Sequence, residues 1–111
     1  MSFTLHITKR AESDLNAAAD YIEFTLLNQQ AADSLLGKVE KELSSLAEMP
    51  QIHWLADDPF LKSHGIRFIL ISNYMVFFLI DEEEKTVFLL RFLYGKRNWI
   101  HILKDEPNSL I

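Results

Sequence analysis

Gly65-Ile66-Arg67-Phe68-Ile69-Leu70-Ile71-Ser72-Asn73-Tyr74-Met75-Val76-Phe77-Phe78-Leu79-Ile80-Asp81 is the most informative stretch of this chain. It holds two β-rich runs, Ile66 to Ile71 and Tyr74 to Asp81, separated by the turn-forming pair Ser72-Asn73. A third run, Thr86 to Tyr94, follows the acidic break Asp81-Glu82-Glu83-Glu84-Lys85. Breaks this short join antiparallel neighbours, so the three runs predict a meander. Both parities of the first two runs are apolar, whereas a sheet covered on one side alternates apolar and polar residues. Each face of this sheet therefore requires a cover.

Upstream of the meander lie one strand and two helices. Phe3, Leu5 and Ile7 alternate with Thr4 and His6, the period-two pattern of a half-buried strand. Thr8 is placed to cap a helix in which Ala11, Leu15, Ala18, Ile22 and Leu26 share one face, with Glu12, Asp20 and Glu23 opposite. Asn28 suits the cap of a second helix, whose stripe is Ala32, Leu35, Leu36, Val39, Leu43 and Leu46 and which Pro50 closes. The short break between them makes an antiparallel hairpin. Gln51 to His64 lacks periodicity and reads as a loop, with His53-Trp54 exposed. The expected fold is α+β: an N-terminal strand and an antiparallel two-helix hairpin packed on one face of a mostly antiparallel four-stranded sheet. The hairpin covers one face. A partner chain is the favoured cover for the other, ahead of a self-dimer or the tail with Trp99.

At 111 residues the chain suits a single domain, expected over residues 3–103, with 104–111 a flexible tail. It contains no cysteine, which excludes disulfides and thiolate metal sites. His6, His53, His64 and His101 are scattered without ligand spacing, so neither a metal nor another cofactor is expected. The N-terminus lacks a signal-peptide pattern and no apolar run is long enough to span a bilayer, so a cytoplasmic protein without membrane contact is expected. A net charge of -5 argues against non-specific nucleic-acid binding, which is driven by release of counterions from a basic surface.

Against this apolar background the arginines are the candidate chemistry. Arg67 and Arg91 lie inside strand runs, where a charge is costly unless paired or solvated, and Arg97 follows the last run. With Tyr94, and Lys62 or Lys96 beside them, they can form a cationic cluster on the non-helical face that holds a phosphate through forked hydrogen bonds. Cleavage of RNA by a 2′-hydroxyl would draw charge stabilisation from the arginines and proton transfer from Tyr94 or His101. The structural alternative pairs Arg67 and Arg91 with Asp57, Asp58 or Asp81, or with acids of a partner. The acidic run 81 to 84 reads as a solvated turn, and Trp54 and Trp99 as packing residues.

Three segments of the C-terminal third resemble the RelE/ParE toxins of type II toxin-antitoxin systems, also described as plasmid stabilisation proteins. They are Gly65-Ile66-Arg67, Asn73-Tyr74-Met75-Val76-Phe77-Phe78-Leu79-Ile80-Asp81, and Val87-Phe88-Leu89-Leu90-Arg91-Phe92-Leu93-Tyr94-Gly95-Lys96-Arg97-Asn98-Trp99. Ala11-Glu12-Ser13-Asp14-Leu15 and Tyr21-Ile22 are similar as well, so the resemblance spans roughly 3–103. It implies a toxin whose sheet is covered by a cognate antitoxin, with a homodimer possible in the antitoxin's absence. It also implies one of two activities. The first is metal-independent, ribosome-dependent cleavage of mRNA, with Arg67 and Arg91 on the scissile phosphate, Arg97 assisting and Tyr94 transferring a proton; the second is inhibition of DNA gyrase by protein binding. The nuclease is the leading expectation and the gyrase inhibitor the alternative, with an inactive interaction module third. Nuclease members are usually basic and carry several lysines before the glycine, whereas this chain is at -5 and has Lys62 alone there. The ribosome, however, can supply much of the RNA positioning.

Overall fold

The computed structural model describes residues 2–56 and 58–95. Asp57 and everything after Gly95, including Lys96, Arg97, Trp99, His101 and the expected 104–111 tail, lie outside the described residues. In chain order the elements are β1 (Thr4–Ile7), α1 (Lys9–Asp20) running into a π-helical turn (Tyr21–Thr25), α2 (Gln29–Glu48) and a 3-10 turn (Pro50–Ile52). There follow α3 (Pro59–Ser63), β2 (Arg67–Ile71), β3 (Tyr74–Asp81) and β4 (Thr86–Tyr94). The four strands form one sheet in the order β1-β4-β3-β2. β1 runs parallel to β4, and the other neighbours are antiparallel. This is the α+β arrangement expected from the strand and helix periods.

The caps sit where the residue types place them. Thr8 Oγ1 accepts from the Ala11 N–H at 3.2 Å and donates to the Leu89 carbonyl at 2.7 Å, so one hydroxyl starts α1 and ties it to β4. Asn28 Oδ1 accepts from the Ala31 N–H at 2.9 Å and starts α2. Between the helices the Leu26 N–H donates to the Tyr21 carbonyl, five residues back, and Leu27 turns at φ 54°, in the left-handed region. The extra residue in the π turn moves Leu26 off the apolar stripe, and Leu26 is exposed where an unbroken helix would have buried it.

Two apolar clusters pack on the two faces of the sheet. On the helix side, Ala11, Leu35, Val39 and Leu46 meet Ile69, Ile71, Val76, Phe78, Val87, Leu89 and Phe92. On the other side Ala56, Leu61 and Ile66 meet Phe77, Leu90 and Leu93. The cover for the second face is thus supplied in large part by the chain's own 53–66 connection, which sequence periodicity reads as an open loop. Asp58 Oδ1 accepts from the Phe60 and Leu61 N–H groups, and Pro59 occupies the first turn, so α3 forms and seats a fully buried Leu61 on the sheet. Residues 54 to 56 lie against β2: the Phe68 N–H donates to the Trp54 carbonyl at 3.1 Å and the Ala56 N–H to the Ile66 carbonyl at 2.9 Å. A helix of five residues is too short for a helical period to show, which is why the pattern missed it. Among the described residues no helix is long and apolar enough to cross a membrane.

Candidate functional site

The candidate residues on β4 are placed by two local features. β1 pairs with β4 only as far as Ile7 against Leu89, so the β4 edge beyond Leu89 has no strand beside it. A shift of register follows: Phe77 faces Arg91 and Phe78 faces Leu89, which leaves Leu90 as an extra residue on β4. Asp14, on the α1 turn above this bare edge, takes the vacant positions. Its Oδ2 accepts from the Phe92 N–H at 3.0 Å and from Arg91 Nε at 2.7 Å, and its Oδ1 accepts from Arg91 Nη2 at 3.0 Å. The pair is largely out of solvent, at 11 % exposure for Arg91 and 16 % for Asp14.

Arg91 therefore faces an aspartate on the first helix, on the helical side of the sheet rather than the non-helical face. Asp81 has its own role, its Oδ1 accepting from the Glu83 and Glu84 N–H groups and closing the β3-β4 turn. Asp14 is the residue that the periodicity reading passed over. It stands three after Ala11 and four before Ala18, on the apolar stripe of α1, and an acid on such a stripe signals a buried partner.

Arg67 belongs to a different neighbourhood. Its Nη1 donates to the His53 carbonyl at 2.6 Å and to the Gln51 carbonyl at 3.4 Å, which holds the turn after α2 against the start of β2. The His53 ring meets Phe78 edge-on at 6.0 Å between centroids. Burial pushes the His53 imidazole below its usual range, against the pull of Glu42 and with Arg67 adding to the depression. Lys62 is exposed on α3.

Tyr94 opens onto a cleft of about 920 Å³ between the helical hairpin, the β2-β3 turn, the start of β3 and the end of β4. Its walls include Tyr21, Ile22, Leu35, Lys38, Tyr74 and Tyr94, with Asp14 also lining it. Tyr74 stacks on Phe92 at 4.8 Å and meets Tyr94 edge-on at 5.6 Å. Burial, with Tyr94 and Tyr21 contributing, pushes the Tyr74 phenol above its usual range, so it is a neutral hydrogen-bonding group near pH 7. Arg91 and Tyr94 are thus linked to one cleft, Arg91 through Asp14, while Arg67 is not among the cleft's lining residues. Arg97 lies outside the described residues. The cleft is an aromatic concavity, more apolar than polar in surface, with Asp14, Lys38 and Asn73 among its polar groups, and is suited to receiving part of another molecule.

The family described as the ParE toxin of the type II toxin-antitoxin system, parDE, matches residues 5–99. The structure is similar to that of the chromosomal ParDE toxin-antitoxin system from P. aeruginosa, with a TM-score of 0.69 at 17 % identity, covering 86 % of this chain and 98 % of that one. The toxin-antitoxin complex RelBE2 from Mycobacterium tuberculosis gives a TM-score of 0.59 at 20 % identity, over 85 % of this chain and 99 % of that one. A mutant of the E. coli toxin RelE in the free state gives 0.59 at 17 % identity, over 92 % and 93 %. At these identities the likeness is one of fold. No curated protein matches the chain.

Proposed function

This chain belongs to the ParE toxin family of type II toxin-antitoxin systems, and from that premise we propose that it acts by binding DNA gyrase, breaks no covalent bond itself, and is silenced by a cognate antitoxin. The observation that carries this reading is the engagement of Arg91 by Asp14. A nuclease built on Arg67, Arg91, Tyr94 and Arg97 needs guanidinium donors aimed at the scissile phosphate. Arg91 instead directs Nε and Nη2 at a carboxylate of its own chain, and Arg67 directs Nη1 at two backbone carbonyls. A net charge of -5 points the same way, since RNA would have to approach an acidic molecule. A protein target makes no such demand, and the exposed apolar side chains of the hairpin suit one.

The test is a pair of assays on the same preparation. In the first, purified bacterial gyrase supercoils relaxed plasmid with and without this protein; in the second, mRNA 5′ ends are mapped in a translating cell-free extract. Loss of supercoiling with intact transcripts is the expected result. New 5′ ends inside translated codons, with supercoiling untouched, would overturn the proposal in favour of the ribosome-dependent nuclease.

A further inference from the structure

The tip of the helical hairpin is an apolar knuckle that, among the described residues, stays largely exposed. Tyr21, Phe24, Leu26 and Leu27 are 54, 67, 56 and 84 % exposed and follow one another across the π turn and the bend into α2. Neighbouring apolar residues exposed together on a soluble protein mark an interface. Leu27 adds to this, because its φ of 54° is a conformation that Asn or Gly adopts at less cost, yet the position carries a large apolar side chain.

The charge around the knuckle indicates what it fits. From Arg10 to Lys38 the chain contains no intervening Lys or Arg but five acids: Glu12, Asp14, Asp20, Glu23 and Asp33. Asp14 is engaged by Arg91. Asp20 and Glu23 flank Tyr21 and Phe24 in the chain, and Asp33 stands in the opening turns of α2. Lys38 lines the cleft beside Tyr21 and Leu26, but the charges next to the knuckle along its own stretch of chain are acids, so it complements an apolar groove rimmed by Lys and Arg. A second copy of this chain would set acid against acid, and is a poor occupant.

We infer that this knuckle is the element that docks on the toxin's target enzyme, seated within the basic surface by which that enzyme grips DNA. The inference rests on the gyrase reading above. A DNA-gripping surface must present Lys and Arg to phosphates. Asp20, Glu23 and Asp33 take the place of those phosphates, while Phe24 and Leu27 add apolar contact, so toxin and DNA compete for one surface.

Binding to purified bacterial gyrase is measured by surface plasmon resonance for the wild type, Glu23→Lys and Leu27→Asn, with and without linear duplex DNA, and binding to the cognate antitoxin is measured in parallel. Leu27→Asn suits the left-handed backbone, Leu27 is exposed and Glu23 half-exposed at the edge of the fold, so antitoxin binding serves as the check on folding. The expected result is at least tenfold weaker gyrase binding by each variant, antitoxin affinity within twofold of the wild type, and displacement of the wild type by DNA. Wild-type gyrase affinity in both variants would overturn the inference and leave the gyrase reading standing. Absence of wild-type binding would overturn both. Loss of antitoxin binding with gyrase binding intact would assign the knuckle to the antitoxin and overturn the inference alone.

Discussion

Arg91 and Asp14 meet through two parallel hydrogen bonds, a geometry that sets angle as well as distance, and the same carboxylate also takes the Phe92 N–H. Removing the guanidinium leaves a carboxylate at 16 % exposure against the Phe92 N–H of the β4 edge, without its opposite charge at this position. Arg91→Ala is therefore expected to cost roughly 2–4 kcal/mol, read as a lower urea midpoint, with Arg91→Lys in between because an ammonium cannot make the forked pair. A change below about 0.5 kcal/mol, the range of ordinary surface substitutions, would mean the pair is not structural. Loss of toxicity in Arg91→Ala thus informs on chemistry only when the folded fraction is measured beside it. His53 supplies a second expectation. Its folded pKa lies below that of the unfolded chain, so between the two values the unfolded state binds more protons and stability rises with pH. As pH falls through about 6.5 the wild type loses stability. Urea midpoints at pH 7.5 and 5 should differ more for the wild type than for His53→Gln, and equal differences would refute partial desolvation of the imidazole as a source of stability.

The 53–66 connection behaves as a layer of the fold rather than as a tether. Leu61 is fully buried on α3 and packs in the cluster with Phe77, Leu90 and Leu93. Leu61→Ala should cost about 2–4 kcal/mol, the penalty of a core cavity, measured by urea or thermal unfolding. A solvated loop residue would cost close to nothing, and that outcome would remove α3 from the core. The π turn works in the opposite direction: by displacing Leu26 from the stripe of α1 it gives up burial and gains an exposed tip. At β4, the end of β1 and the extra residue Leu90 together create the bare edge that Asp14 fills.

In the assembled fold, the apolar runs on both strand parities are accounted for by two clusters, one under the hairpin and one under the 53–66 segment. The strands, both long helices and the caps at Thr8 and Asn28 are legible in the sequence, because periods of 2 and 3.6 and the capping preferences arise from residues a few positions apart. The toxin family was legible too, from the order of the Arg67, Tyr74 and Arg91 segments, and the family match over residues 5–99 agrees with it. Short α3 and the π turn were not, since five residues carry no measurable period. Nor was the fate of the arginines. Arg91 and Asp14 are 77 positions apart, and their meeting depends on where β1 stops, how β4 bulges and how α1 crosses the edge. Local periodicity and composition were enough to specify the elements, their order and the acidic character of the chain. Which charge meets which carboxylate, and which apolar residues stay outside, was decided by packing, because Coulomb and hydrogen-bond energies depend on separation in space and not along the chain.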